Sequence, residues 1–191
     1  MVSSGNSNER QVACDILFKM DLKRKIRNIP NFPQKGIIFR DIGPLLEDKK
    51  ALRFAINQFV KKFKNKKIDK VVGIDARGFI LAGILADRLK AGLVMVRKKG
   101  KLPYETEAEE FDLEYGKATL EIHKDSIFPG EKVLLIDDVL ATGGTMAATA
   151  KLVEKLKGKI VAIAFLIILD YLSGREKLKN YPVFSLVNYQ K

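Results

Sequence analysis

The stretch Val133-Leu134-Leu135-Ile136-Asp137-Asp138-Val139-Leu140-Ala141-Thr142-Gly143-Gly144-Thr145 decides how the rest of the chain is read. Residues 132–136 follow a Pro129-Gly130 turn and are almost continuously apolar, which predicts a short strand buried on both faces. Asp137 and Asp138 then stand at its C-terminal end. Over 146–156 the spacing turns helical, with Ala147, Ala150, Leu152, Val153 and Leu156 available to one face and Gly158 as the stop. The unit is a strand, an acidic pair, a Gly-rich turn and a helix.

Gly143 and Gly144 permit backbone conformations that turn several N–H groups inward. Together with the Thr142 and Thr145 hydroxyls and the positive end of the following helix, those donors make an anion site sized for a phosphate. A nucleoside-triphosphate loop would need a Gly-Lys pair followed by Ser or Thr, which the chain lacks, and the three spaced glycines of a dinucleotide fingerprint are also missing. Adjacent carboxylates repel each other, so a pair beside a phosphate cradle suits a ligand with two donors. A ribose diol offers two O–H groups at nearly that spacing. The blander account is a solvated acidic turn that caps the next helix.

Residues 133–145 resemble the signature of the type I phosphoribosyltransferases, which bind phosphoribosyl pyrophosphate (PRPP). The resemblance implies that Asp137 and Asp138 hold the ribose hydroxyls. It assigns the 5′-phosphate to Ala141, Thr142, Gly143, Gly144 and Thr145.

The remaining composition bounds the class. A chain of 191 residues with 47% hydrophobic content can bury one sizeable core, and 30% charged residues exclude a membrane protein. The longest apolar run, 160–169, is about half of what a spanning helix needs. Residues 1–10 are polar and read as a flexible N-terminus without the apolar core of a signal peptide. Cys14 alone cannot form an internal disulfide, which suits a reducing cytoplasm. The net charge of +12 gathers at Lys23, Arg24, Lys25 and Arg27 and again at Lys61, Lys62, Lys64, Lys66 and Lys67. Neither cluster is interleaved with aromatic residues as in a single-strand binder, so a solvated basic face is the expectation and nucleic acid is not the expected partner.

Val12, Ile16, Leu17 and Met20 recur at helical spacing, predicting a first helix over 9–28 that Pro30 ends. Residues 29–46 are Pro- and Gly-rich yet carry large apolar side chains, which reads as a packed functional loop with a short strand. An amphipathic helix follows through Leu52, Ala55, Ile56, Phe59, Val60 and Phe63. Then come a strand at 70–74, a turn through Asp75, Ala76, Arg77 and Gly78, and a helix over 79–89. Arg77 is thus expected at the C-terminal edge of a parallel sheet, where such sheets bind ligands, the bland alternative being a surface pair with Asp75. Residues 93–96 read as another buried strand. Beyond them the acidic residues up to Asp112 show no helical or strand period and read as a lid. Ala118, Leu120 and Ile122 alternate with Thr119, Glu121 and His123 as a half-exposed strand with His123 on its polar, surface side. Residues 160–169 and 183–187 are further strands, with a short helical turn over 171–178 between them. A lone histidine offers no zinc site. Alternating strands and helices predict an α/β fold with a largely parallel central sheet flanked by helices, in a single domain over 11–191 plus a small N-terminal hood.

Five motifs in order narrow the resemblance to the adenine phosphoribosyltransferase family. Residues 32–46 resemble its base-binding hood, 75–79 its pyrophosphate loop, 97–103 the entry to its mobile loop (98–113 here), Leu113-Glu114-Tyr115-Gly116 its catalytic element, and 173–178 its Gly-Arg-Glu-Lys-Leu element. The chain departs from that pattern at Ala76, where many members have serine, in its acidic mid-loop, and in a longer basic N-terminus. The resemblance implies Mg²⁺-dependent transfer of the phosphoribosyl group from PRPP to N9 of adenine, giving AMP and pyrophosphate. Ala76, Arg77, Arg97, Lys98 and Lys101 would bind the pyrophosphate, Glu114 would accept a purine proton, and Ile38, Phe39, Arg40 and Leu140 would enclose the adenine. No protein side chain is expected to ligate the metal, which PRPP would carry, and a cytoplasmic homodimer is implied. A PRPP-sensing, nucleic-acid-binding regulator and a transferase for another base remain the alternatives.

Overall fold

Two compact units divide the chain between Asn57 and Gln58, and the computed structural model describes residues 20–112 and 116–190. In the first unit Asp21 caps a 3₁₀ turn, Leu22–Lys25, by accepting from the Lys23 N–H at 3.0 Å. Strand β1 (Arg27–Pro30) then pairs antiparallel with β2 (Ile38–Asp41), Arg27 opposite Asp41 and Asn28 opposite Arg40. The helix expected to run as far as Asn28 is therefore corrected over its last part. Pro30 disfavours a helical Ile29, and the extended form gives Arg27 an ion pair with Asp41 at 3.6 Å and Asn28 a hydrogen bond from Arg40. The rest of that helix falls outside the described residues. Helix α1 (Gly43–Glu47) takes Pro44 in its first turn, where the missing N–H costs nothing.

Helix α2 (Lys49–Phe63) starts at Asp48, whose carboxylate accepts from the Lys50 and Ala51 N–H groups at 2.8 and 3.2 Å. Lys25 donates to the same carboxylate at 2.7 Å and, with those two backbone donors, brings it down to about 2. Along the helix Ala51, Ala55, Ile56, Phe59 and Phe63 are buried. The two phenylalanines meet the Phe184 ring edge-on, with centroids 6.0 and 5.8 Å away.

The second unit contains β3 (Lys70–Ile74), α3 (Arg77–Leu89), β4 (Gly92–Lys98), β5 (Thr106–Asp112), β6 (Lys117–His123), β7 (Lys132–Leu140), α4 (Gly144–Lys155), β8 (Lys159–Leu169) and β9 (Val183–Tyr189). One seven-stranded sheet runs in the order β5-β6-β4-β3-β7-β8-β9. Its strands from β4 to β9 are parallel, while β6 pairs antiparallel with β4 and β5 antiparallel with β6. This is the expected α/β fold with a largely parallel sheet. Strands β7 and β8, paired on both sides, account for the continuous apolar runs at their centre, as fully covered parallel strands do. The order reverses between β3 and β7, so their C-terminal ends open a crevice between them.

Four local expectations are corrected. Strand β7 does not stop at Ile136 but continues through both aspartates to Leu140, because Val139 and Leu140 still pair with Ile167 and Ile168 of β8. Residues 106–112, read as an irregular lid, form a regular strand in register with β6 from Thr106 opposite His123 to Asp112 opposite Lys117. Strand β4 is buried only at Val94 and Val96, since Leu93 and Met95 point to an open face. His123 is half-buried rather than superficial: the Tyr104 ring lies edge-on to it at 6.2 Å, and its Nε2 is enclosed without a hydrogen-bond partner among the described residues.

Candidate active site

The C-terminal ends of β3 and β7 deliver the charged side chains. After β7, Asp138 is buried, 6% exposed, and its Oδ2 lies 2.8 Å from Arg77 Nε. That contact is an ion pair without hydrogen-bond geometry, as this oxygen has no directed donor among the described residues. Arg77 opens α3, so the pair joins the two strand ends across the crevice and replaces the surface pairing with Asp75 that sequence alone offered. Asp137 Oδ1 accepts from the Asp138 N–H at 2.9 Å. Burial, and then the negative charge of Asp138, push the Asp137 carboxyl well above the usual carboxylate range, and Arg77 offsets this only in part. A β-carbon on Gly78 would lie 2.7 Å from Asp137 Oδ1, so only glycine lets α3 begin this close to the acidic pair.

Beyond Leu140 the chain wraps an open pocket lined by Asp137, Leu140, Ala141, Thr142, Gly143 and Thr145, among others. Gly143 sits at φ 80°, a left-handed conformation that side chains resist, and no side chain caps the helix it starts. Among the described residues no N-cap side chain takes up the first N–H groups of α4, and Gly143 and Thr145 line the pocket, as an anion site requires. Gly174, at the start of a 3₁₀ turn (Gly174–Leu178), closes the far side of this loop against Ala141 and Gly143. Its role is invisible in a linear reading because the contact joins positions far apart in the chain. The Ser173-Gly174 pair in the matched motif is the only trace of it.

The remaining cations cluster on Asp75. Its carboxylate accepts from Arg97 Nε at 3.1 Å and Lys101 Nζ at 3.3 Å. Burial would raise this carboxyl, but the two cations outweigh it and hold it below the usual range. The Asp75–Ala76 peptide is cis, and Ala76 is the residue before α3. Lys98 ends β4 and is exposed. The turn carrying Lys101 is pinned by Glu121, a buried carboxylate on β6 that accepts from the Gly100 N–H at 2.9 Å. Sequence reading puts Asp75 in the pyrophosphate-loop motif, with a surface pairing to Arg77 as the bland alternative. It also sets Glu121 on the polar side of a half-exposed strand, which is corrected because Glu121 is buried on the Gly100 N–H.

Of the other residues singled out, Leu140 is almost fully buried yet forms one pocket wall. In the first unit Ile38 is 44% exposed, Phe39 packs edge-on against Phe32 with centroids 5.3 Å apart, and Arg40 is buried with its guanidinium on Asn28. Ile38 is thus no core residue. Glu114 lies outside the described residues. Among the described residues no three His, Cys, Asp or Glu side chains converge, and no helix is long and apolar enough to cross a membrane.

Residues 43–190 match the family described as the phosphoribosyl transferase domain. An adenine phosphoribosyltransferase of Christiangramia forsetii is 56% identical over 170 residues, which cover 89% of this chain and 99% of that one. The Thermotoga maritima adenine phosphoribosyltransferase is 53% identical over 173 residues, covering 91% and 100%. Among solved structures, the adenine phosphoribosyltransferase of Rhodothermus marinus superposes with a TM-score of 0.84 at 52% identity, covering 88% of this chain and 96% of that one. The Saccharomyces cerevisiae enzyme, solved with adenine and an imino-altritol bisphosphate, gives 0.82 at 40% identity, covering 86% and 95%. With the phosphate-type loop, the acidic pair and the parallel sheet that holds them, these likenesses show that the chain belongs to the adenine phosphoribosyltransferases of the phosphoribosyltransferase family.

Proposed function

We propose that the protein transfers the phosphoribosyl group of PRPP to N9 of adenine, releasing pyrophosphate and forming AMP, as a purine salvage enzyme. The observation that carries this reading is the joining of the α4 start at Gly143 to an acidic pair, Asp137 half-buried and Asp138 buried, whose ion pair reaches Arg77 at the neighbouring strand end. Those parts match the 5′-phosphate, the ribose diol and the pyrophosphate of one substrate. Asp137 and Asp138 take the two ribose hydroxyls, and residues 141–145 take the phosphate with backbone N–H groups and the Thr142 and Thr145 hydroxyls.

Charge builds on the sugar as pyrophosphate leaves, so the leaving group needs preorganised cations. Arg77, Arg97, Lys98 and Lys101 fill that role with the backbone of Ala76, and one loop cation can come from a second copy of the chain. Glu114 accepts the N7 proton as N9 attacks. The family resemblance assigns base recognition to Ile38, Phe39, Arg40 and Leu140. A fixed backbone C=O and N–H from residues 38–40 can read the purine edge, matching adenine and opposing a 6-oxopurine.

Mg²⁺ would enter as part of the PRPP complex, carried by the substrate's own oxygens, with Asp137 and Asp138 kept on the ribose hydroxyls. It would supply charge neutralisation on the departing pyrophosphate. A homodimer is favoured by the exposed apolar side chains Ile80 on α3 and Leu93 and Met95 on β4. A cytoplasmic setting suits a substrate and product that are both phosphorylated metabolites. Turnover with PRPP and a panel of adenine, hypoxanthine, guanine and orotate tests the whole reading. Adenine alone should support it, and no turnover with any base, alongside PRPP-dependent nucleic-acid binding, would leave a regulator in its place.

A further inference from the structure

The acidic side chains Glu107 and Glu109 of strand β5 have partners on α4. Strand β5 runs along α4: Lys155 Nζ at the helix end lies 3.2 Å from Glu107 Oε1 and 3.1 Å from Glu109 Oε2, and donates to the Ala108 carbonyl at 2.7 Å. One turn earlier, Lys151 donates to Glu109 Oε1 at 2.9 Å. At the helix start, a β-carbon on Gly144 would lie 3.2 Å from Phe111 Cδ2 and 3.5 Å from the Asp112 carbonyl. The strand thus lies on the helix with alternate side chains, Glu107, Glu109 and Phe111, turned towards it. Its last residue arrives at the phosphate-binding end.

Asp112 pairs with Lys117, so residues 113–116 are the connection of the β5–β6 hairpin and include Glu114. At its phosphate-binding end the seam is apolar, where Phe111 lies against Gly144. Elsewhere it is ionic and half-exposed, so water and salt can open it, as they could not open a packed apolar seam. The Lys151 and Lys155 contacts keep the Glu109 carboxyl below its usual range although burial opposes this.

We propose that Lys151 and Lys155 are positioning residues: with Glu107 and Glu109 they form an ionic clasp that holds the β5–β6 hairpin along α4 and fixes where the chain enters and leaves the Glu114 segment. The inference rests on the role of Glu114 assigned above. It makes the clasp a reversible hold on the proton acceptor while leaving the PRPP site itself intact.

The test compares Lys155→Met and Lys155→Arg, with Lys159→Met as a control that removes one positive charge from the start of β8. Lys155→Met should lower kcat at saturating substrates about tenfold, with KM for PRPP changed by less than about twofold, because the acceptor is misplaced while binding is kept. Lys155→Arg should restore most of kcat, and Lys159→Met should match wild type. Amide exchange over 106–112 should speed up in Lys155→Met while β3 and β7 keep their protection. Added KCl should depress wild-type kcat more steeply than that of Lys155→Met. Should Lys155→Met fold poorly, Glu109→Gln breaks the clasp from the hairpin side and is held to the same readings. Unchanged exchange over 106–112 would overturn the clasp, and faster exchange with an unchanged kcat would overturn its positioning role. A wild-type chain without turnover would sink the assigned reaction and the catalytic half of this inference, while the exchange data still decide whether the clasp exists.

Discussion

A β-carbon placed on Gly174 would lie 2.1 Å from the carbonyl oxygen of Ala141. No rotamer change can relieve such a contact, because the backbone fixes the β-carbon and its partner is a backbone oxygen. Gly174→Ala should therefore push residues 141–143 outward, cost about 1–3 kcal/mol of stability, and weaken PRPP binding more than adenine binding. Calorimetric titration of PRPP beside a thermal melt checks both halves, and native-like PRPP affinity would show that the loop does not depend on this support.

Asp137 shows how function and stability oppose each other at this site. Its carboxyl is raised by burial and by Asp138, so the folded state holds its proton to higher pH than the unfolded chain does. The resulting stability is complete below the unfolded pKa of about 3.9 and is lost as pH rises through the folded value. Asp137→Asn should remove that loss. The variant should melt higher than wild type at pH 7 and converge with it as pH falls towards about 4. An equal or lower melting point at pH 7 would contradict the buried, charge-crowded carboxyl.

Replacing both Asp137 and Asp138 with Asn should abolish transfer in a folded protein, since each lost charge-assisted hydrogen bond to a ribose hydroxyl costs about 1.5–3 kcal/mol. Near-normal turnover in the double variant would remove the ribose from this pair.

Asp75 should compete with substrate. Arg97 and Lys101 rest on its carboxylate, so a pyrophosphate must draw them away. Asp75→Asn should bind pyrophosphate several-fold more tightly, on the order of one lost surface-type ion pair. Product-inhibition kinetics read this directly, and weaker inhibition would mean that Asp75 presents the cations rather than sequestering them.

Glu114→Gln keeps the shape but cannot take a proton, so kcat should fall by roughly 10²–10⁴ with KM for PRPP little changed. A collapse of PRPP binding with kcat preserved would make Glu114 a binding residue.

The central part of the site was legible because its signals are local. Residues 70–74 were read as the strand they form, and the turn after β7 announced an anion site through Gly143 and Gly144. What escaped were features whose cause lies elsewhere in the chain. Strand β5 hid because its inward positions carry glutamates, which look solvent-facing until Lys151 and Lys155 are found opposite them. Strand β1 hid because a helical apolar spacing upstream was carried past the point where Asn28 and Arg27 find partners on β2. Gly174 gave no pattern, since its small size matters only against Ala141.

Strand β8 carries a final consequence, for how the protein fails rather than how it works. Residues 160–169 hold no charge between Lys159 and Asp170, and their strand is harmless only while β7 covers one edge and β9 the other. Because β9 is the outermost strand, its detachment would present a long, sticky edge to neighbouring molecules. Heat inactivation should then be governed by the rate at which β9 peels away, and clumping should make it irreversible and faster at higher protein concentration. Substitutions that anchor β9 should lengthen the working life of the protein more than any further improvement of its core.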